Sequence, residues 1–454
     1  MSYQTLKVER RDKGVVLWTI DNPPANAIDD TLLEDLDKAA EYLKKAGKED
    51  GVTIKTIVSQ GELEQVLSER PEDRRRPRVD ARGGRRGGRR TGPVTAQPRA
   101  EGLLWSGSLA LRYEVVELPL RDPFVIARAD HGSGRRITTV LVEVWDERFP
   151  GLVGLGEGYP DRFYGETPET MVAVWPLLLG AIGDVEPSRE GLAAAGAAMA
   201  GAIRGHGAAK CAIDIALHDL VGQILGLPLV DLVGCSPDIP PTDFTLGLDE
   251  PAVVAERARR AAHFKALKIK VGGPADLATL EAVRAVYAGP LRVDANTGWT
   301  PEVARSLLPR LVELGVEVIE QPFPARRLDW LADLQAASSI PIVADESAVF
   351  IEDLDALVGV VAGVNVKLAK CGGPGPARAM LERARALGFR TFLGCMEETS
   401  IVIAASAAVA SLADWVDLDG CLLLAEDPVE GLELGSDGRW RIGEAPGLGV
   451  RRRR

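Results

Sequence analysis

The sequence predicts an α/β chain dominated by a (β/α)7–8 barrel of the TIM type, with an α+β capping domain, preceded by a fold fragment and a disordered linker. Three observations carry this reading. Short apolar runs ending in a polar residue recur from residue 244 onward, helical patterns separate them, and composition changes abruptly near residue 70. The spans read as a fragment over 1–60, a linker over 61–105, a capping domain over 106–236, the barrel over 237–424 and a C-terminal segment over 425–454 returning to the capping domain.

In the first span, GVVLWTIDNPPANAID followed by DTLLEDLDKAAEYL reads as strand, turn and amphipathic helix. This resembles the opening unit of the crotonase (enoyl-CoA hydratase/isomerase) family, without that family's later glycine-rich oxyanion-hole segment or its second half. The resemblance implies a truncated fragment without crotonase activity, a fusion remnant or the product of a misplaced gene start. No methionine between Met1 and Met171 separates the two.

Residues 70–99 hold eleven Arg, no Lys and three acids, a charge of +8, which leaves −20 on the rest of a chain whose net charge is −12. With almost nothing to bury, this stretch is expected to be a solvated, disordered linker. An RNA-associated protein using the Arg/Gly-rich segment is the alternative of another class. The acidic body argues against general nucleic-acid binding, so no nucleic-acid partner is expected.

From residue 108, LALRYEVVELPL and TTVLVEVWDE read as antiparallel strands, followed by the loops ARADHGSGRR and GEGYPDRFYGET. Ala- and Leu-rich helices fill 187–234, so an α+β domain is the economical reading. The barrel strands then end at FTLG (244–247), Lys270, Asp294, Glu320, Asp345, Lys367, Cys395 and Asp419, the last seven ends lying 24, 26, 25, 22, 28 and 24 residues apart. PEVARSLLPRLVELG and PGPARAMLERARALG are two of the helical patterns between them.

Composition narrows the chemistry. The hydrophobic share of 46%, the lack of any long uncharged apolar run and an N-terminus without an apolar centre lead us to expect a cytoplasmic protein with no membrane partner. Five widely spaced cysteines without a C-x-x-C pair and only four histidines argue against a disulfide framework or a thiolate or histidine metal site. Any metal would be a hard ion on carboxylates.

Asp294, Glu320 and Asp345 end three consecutive strands, and strand ends converge at a barrel mouth. Three converging carboxylates repel unless a cation sits among them, and this donor set suits one Mg²⁺ per subunit. Lys268 and Lys270 alternate onto one face of LKIKVGG, and Lys367 lies two strands beyond Glu320. A metal flanked by lysines suits removal of a proton next to a carboxylate. Repulsion within the Lys268/Lys270 pair, with Mg²⁺ nearby, is expected to lower an ammonium pKa toward working pH. Lys370 is expected to be a solvated charge past the strand end, and His218 a helix-face residue.

LKIKVGG, VDANTGW, IEQPF, ADES and NVKLAKCGG resemble the successive barrel motifs of the enolase superfamily, muconate-lactonising subgroup, over about residues 108–445. The resemblance implies that Lys270 and Lys367 act on opposite faces of the substrate, with Lys268 beside them contacting it. Within the subgroup, WVDLDGCLLLAEDP places Asp417 and Asp419 on one face of the eighth strand's end, where they would pair with a substrate ammonium. D-L-D-G here resembles the dipeptide epimerases. The expected activity is therefore Mg²⁺-dependent epimerisation of the C-terminal residue of a small L,L-dipeptide, with L-Ala-D/L-Glu as a candidate, by a homo-oligomer. N-acylamino acid racemase and muconate-type cycloisomerase are the alternatives on the same scaffold. By resemblance Arg128, Arg135 and Arg136 lie in a loop closing over the site, while Cys395, Met396 and Glu397, after strand seven, are expected to line the pocket.

Overall fold

In the computed structural model the described residues are 6–11, 15–20, 101–127 and 134–453. The chain divides into a unit over Met1–Val94 and a unit over Thr95–Arg454. In the first, β1 (Leu6–Arg11) and β2 (Val15–Ile20) form an antiparallel hairpin in which Leu6 pairs with Ile20. The helix expected after β2 lies outside the described residues, as do residues 61–100 of the linker expected over 61–105.

The second unit opens with a four-stranded antiparallel sheet of β3 (Glu101–Ser106), β4 (Leu109–Pro119), β5 (Arg136–Asp146) and β6 (Gly154–Gly158). Its first strand corrects the linker boundary, because residues 101–105 pair in register with β4. The short apolar run Leu103–Trp105 in EGLLWS is a strand signal that the neighbouring Arg/Gly tract obscured. Three helices cover the sheet: α1 (Pro168–Ile182), α2 (Arg189–Ala202) and α3 (Gly207–Leu225). Thr167 opens α1 with a capping box and Pro168 at its first position. Helix α3 is buried along most of its length and lies directly on β6, where a Cβ at Gly156 would sit 2.0 Å from the Ala212 carbonyl oxygen. The strand G-L-G-E-G is glycine-rich because the helix backbone occupies the space of its side chains.

The barrel strands are β7 (Phe244–Leu246), β8 (Leu267–Lys270), β9 (Leu291–Asp294), β10 (Val316–Glu320), β11 (Ile342–Ala344), β12 (Gly363–Lys367), β13 (Arg390–Gly394) and β14 (Trp415–Val416). They form one parallel eight-stranded sheet in sequence order, and a parallel bridge between Thr242 and Val416 joins its two edges. Eight strands are observed as expected, but those expected to run to Asp345, Cys395 and Asp419 end at Ala344, Gly394 and Val416. Along β8, Leu267 and Ile269 enter the apolar core while Lys268 and Lys270 take the alternate positions on the barrel interior. Helices between the strands bury one apolar stripe each; Pro301–Glu313, for example, is capped by Thr300 and buries Ala304 and Leu311.

After β14 the chain forms β15 (Val429–Glu430), β16 (Glu433–Leu434), β17 (Trp440–Arg441) and β18 (Arg451–Arg452), with β15 paired to β18 and β16 to β17. Arg452 reaches Glu114 of β4 at 2.6 Å, and Leu448 N–H donates to Asp219 of α3 at 2.8 Å. Among the described residues no helix is long and apolar enough to cross a membrane.

Candidate active site

The C-terminal strand ends deliver their polar side chains to one mouth. Ligand oxygens of Asp294, Glu320 and Asp345 lie within 4.8 Å of one another, and all three residues are buried. Glu320 Oε1 accepts from Asn365 Nδ2 at 2.8 Å. Its Oε2 forms an ion pair with Lys268, 2.8 Å from Nζ. Burial and the adjacent Asp294 push the Glu320 carboxyl up to about 7. A buried triad of converging carboxylates fits a hard divalent cation: the donors are oxygens, and a cation would offset the burial and repulsion that raise Glu320.

Two strand ends carry strained backbone. Asn296, Thr297 and Gln321 adopt positive φ, a conformation L-residues hold only where surroundings enforce it. Gln321 shows the enforcement: its Oε1 accepts from Asp345 N–H at 2.9 Å and its Nε2 donates to the Phe323 carbonyl at 2.8 Å. Asn296 N–H in turn donates to Asp294 Oδ1 at 2.9 Å.

Lysines surround the triad. Lys270 Nζ is 2.7 Å from Asp294, Lys367 Nζ is 2.8 Å from Asp345, and Lys268 Nζ is 2.8 Å from Asp417 and 3.3 Å from Asp294. Repulsion from Lys270 does not dominate at Lys268. Burial opposes its charge, but Asp417, Glu320 and Asp294 outweigh burial and hold the ammonium well above the ordinary lysine value. Lys367 is likewise raised, burial being outweighed by Asp345. Lys370 is a correction. It is 2% exposed, not solvated, with Nζ 2.5 Å from Asp345 Oδ1 and 2.7–2.9 Å from three backbone carbonyls.

Opposite the triad, Asp417 accepts from Lys268 and from Thr245 Oγ1 at 3.0 Å, and Asp419 accepts from Thr245 N–H at 2.6 Å. Burial and the neighbouring Asp417 push Asp419 well above the usual carboxylate range. Behind them Arg292 Nη1 donates to the buried Asp243 at 2.8 Å. One pocket joins these groups: Lys268, Lys270, Lys367, Asp417 and Asp419 line it with Cys395, Met396 and Glu397, and with Phe124, Ile126, Tyr159 and Leu423. Burial raises the Cys395 thiol well above its ordinary value, which suits packing and not nucleophilic attack. Arg128 lies outside the described residues; Arg135 and Arg136 are exposed, away from the pocket lining, and Arg136 faces Glu117 at 3.4 Å. His218 is buried on α3, its Nδ1 2.8 Å from the Asp214 carbonyl.

Phe124 and Ile126 reach the pocket because the capping-domain segment before residue 128 lies close against the barrel loops. Gly272 has φ 114°, and a Cβ there would sit 2.5 Å from the Ala127 methyl. Neither these two residues nor Thr245, Asn365 and Lys370 figured among the expected site residues. Asn365 was detectable, since it precedes Lys367 by two and so shares its face.

Two family descriptions match this architecture in order: "Mandelate racemase / muconate lactonizing enzyme, N-terminal domain" over residues 111–234 and "Enolase C-terminal domain-like" over residues 252–454. The chain belongs to the enolase superfamily. Within it, the chain is 36% identical to an L-Ala-D/L-Glu epimerase of Bacteroides thetaiotaomicron over 361 residues, 76% of this chain and 88% of the relative. It is 38% identical to an L-Lys-D/L-Arg epimerase of Methylococcus capsulatus over 354 residues, 73% of this chain and 95% of that protein. A dipeptide epimerase of Enterococcus faecalis V583, solved with Mg and the dipeptide L-Leu-L-Tyr, aligns with a TM-score of 0.69 at 34% identity, covering 76% of this chain and 99% of the other.

Proposed function

We propose that this chain is a Mg²⁺-dependent dipeptide epimerase that inverts the α-carbon of the C-terminal residue of an L,L-dipeptide. The observation that carries the reading is the pocket wall formed by Asp417 and Asp419 across from two lysines on facing strands. Strands β8 and β12 stand four apart in a ring of eight, so Lys270 and Lys367 enter the mouth from opposite sides. A lysine on one side takes the α-proton as its neutral amine, and the ammonium on the other side returns a proton to the opposite face, which inverts the centre. Asp294, Glu320 and Asp345 would hold Mg²⁺, which would supply fixed positive charge for the carboxylate on which negative charge develops.

The substrate ammonium belongs at Asp419. A buried carboxylate pushed up by Asp417 is short of a positive partner, and an ammonium provides one through a charge-assisted hydrogen bond. Phe124, Ile126, Met396 and Leu423 offer an apolar wall for the substrate's side chains. A second reading, N-acylamino acid racemase, draws support from Lys268, which already neutralises part of Asp417. Turnover of unprotected L,L-dipeptides against N-succinyl amino acids decides between them: the proposal requires the dipeptides to be the faster substrates, and the reverse order would overturn it.

A further inference from the structure

Lys370 sits on a four-residue helix, Leu368–Cys371, that turns the chain back beneath the strand ends after β12. Its ammonium meets four acceptors: Asp345 Oδ1 at 2.5 Å and the carbonyls of Asp345, Asn365 and Ala348 at 2.7, 2.8 and 2.9 Å. Three N–H donors therefore serve four oxygens, and no donor is left for solvent. The backbone around it is equally fixed. Helix α3 begins so close that a Cβ on Gly207 would sit 2.0 Å from the Lys370 carbonyl oxygen.

The acceptors lie on two adjacent strand ends, and two of the three triad carboxylates depend on them. Asp345 is held directly, through its carboxylate and its own carbonyl. Glu320 is held at one remove: Lys370 binds the Asn365 carbonyl, and the Asn365 side chain donates to Glu320 Oε1 at 2.8 Å. With Asp345 Oδ1 committed to Lys370, the plane of the carboxylate is set and Oδ2 is turned toward Lys367 and the triad.

We propose that Lys370 is a positioning residue for the metal site, orienting Asp345 directly and Glu320 through Asn365. The inference rests on the metal reading of the triad. Charge and geometry make opposite demands here, which gives the proposal a sign. A positive charge beside the acids repels a cation, so by Coulomb's law alone its removal would tighten metal binding. Loss of an outer partner that orients a ligating carboxylate instead weakens binding, typically by about 10- to 100-fold.

The test is a Mn²⁺ titration of the full chain, followed by the electron paramagnetic resonance signal of free Mn²⁺, without substrate. It is run at a temperature where circular dichroism shows each protein folded. Lys370→Met should bind Mn²⁺ about 10- to 100-fold more weakly than the parent chain. Lys370→Arg covers the case in which the Met variant, with carbonyls left unpaired, does not fold. It keeps the charge but spreads the donors over a planar fork that cannot converge on four oxygens around one nitrogen. It too should bind at least about tenfold more weakly. Binding as tight as the parent, or tighter, in either folded variant would overturn the proposal. A parent chain that binds no Mn²⁺ would overturn the metal reading along with it, so the two failures are distinguishable.

Discussion

Lys367 and Lys370 grip opposite oxygens of one carboxylate: Lys367 Nζ lies 2.8 Å from Asp345 Oδ2 and Lys370 Nζ lies 2.5 Å from Oδ1. Burial alone would favour the neutral acid, but the two ammoniums hold the Asp345 carboxyl well below the usual range. The residue thus stays anionic at any pH at which the enzyme would work. Its neighbour Glu320, pushed up to about 7, is the triad member whose charge most needs a cation.

Removal of divalent metal with EDTA should abolish activity while circular dichroism stays unchanged, and Mg²⁺ or Mn²⁺ should restore it. Glu320→Gln replaces a carboxylate donor by a weaker amide oxygen, so its metal affinity should fall by more than the roughly 10- to 100-fold typical of outer-partner changes. Full activity after rigorous metal removal would sink the triad assignment.

The facing lysines make an isotopic prediction. Lys367→Ala should abolish epimerisation yet retain α-deuterium exchange for the one stereoisomer that presents its proton to Lys270. Lys270→Ala should show the mirror pattern. Equal loss of exchange from both isomers in each variant, measured by mass spectrometry, would contradict proton transfer from two sides.

Much of this site could be read in the sequence because barrel strands are short and their functional residues lie at their ends or just beyond. The carboxylates of Asp294, Glu320 and Asp345 needed only strand spacing to be brought together. What escaped depends on contacts between distant segments. Lys370 follows a strand end by three residues, the usual place for a solvated charge, and only the short helix that folds it under Asp345 buries it. Lys268 stands beside Lys270 in the sequence, whereas the acids that hold its charge arrive from β9, β10 and the end of β14. Phe124 and Ile126 reach the pocket from the capping domain, a placement with no local signature.

Asp419→Asn tests the ammonium site. Truncating one partner of a buried charge pair costs about 2–5 kcal/mol, so kcat/KM for a free dipeptide should fall by roughly 30-fold or more. N-acetylated dipeptides, which have no charge to pair, should lose little or improve. Equal losses on both substrates would make Asp417 and Asp419 structural and return the reading to an N-acylamino acid racemase.

A pH dependence of stability follows from two buried acids away from the triad. Glu157 accepts from Thr139 Oγ1 and Thr399 Oγ1 at 2.8 and 2.5 Å, and burial pushes it up to about 7. Burial and the nearby Glu157 push Glu398 up to about 8. Both keep a proton in the folded state where the unfolded chain, with carboxyls near 4.5, has lost it. Their contribution to stability is therefore complete below about 4.5 and is lost as pH rises through about 7 to 8. Tm should fall from pH 5.5 to pH 8 in a scan of the parent chain, and Glu157→Gln, which cannot ionise, should flatten that fall. Parallel profiles for the two proteins would contradict the assignment.

The most direct test of the central claim is incubation of the full chain, Mg²⁺ and a library of unprotected L,L-dipeptides in D₂O, read by chiral chromatography with mass detection. The preferred dipeptides should gain one deuterium at the α-carbon of the C-terminal residue, and the L,D diastereomer should appear with it. Dipeptides left without deuterium, while N-succinyl amino acids acquire it under the same conditions, would contradict dipeptide epimerisation.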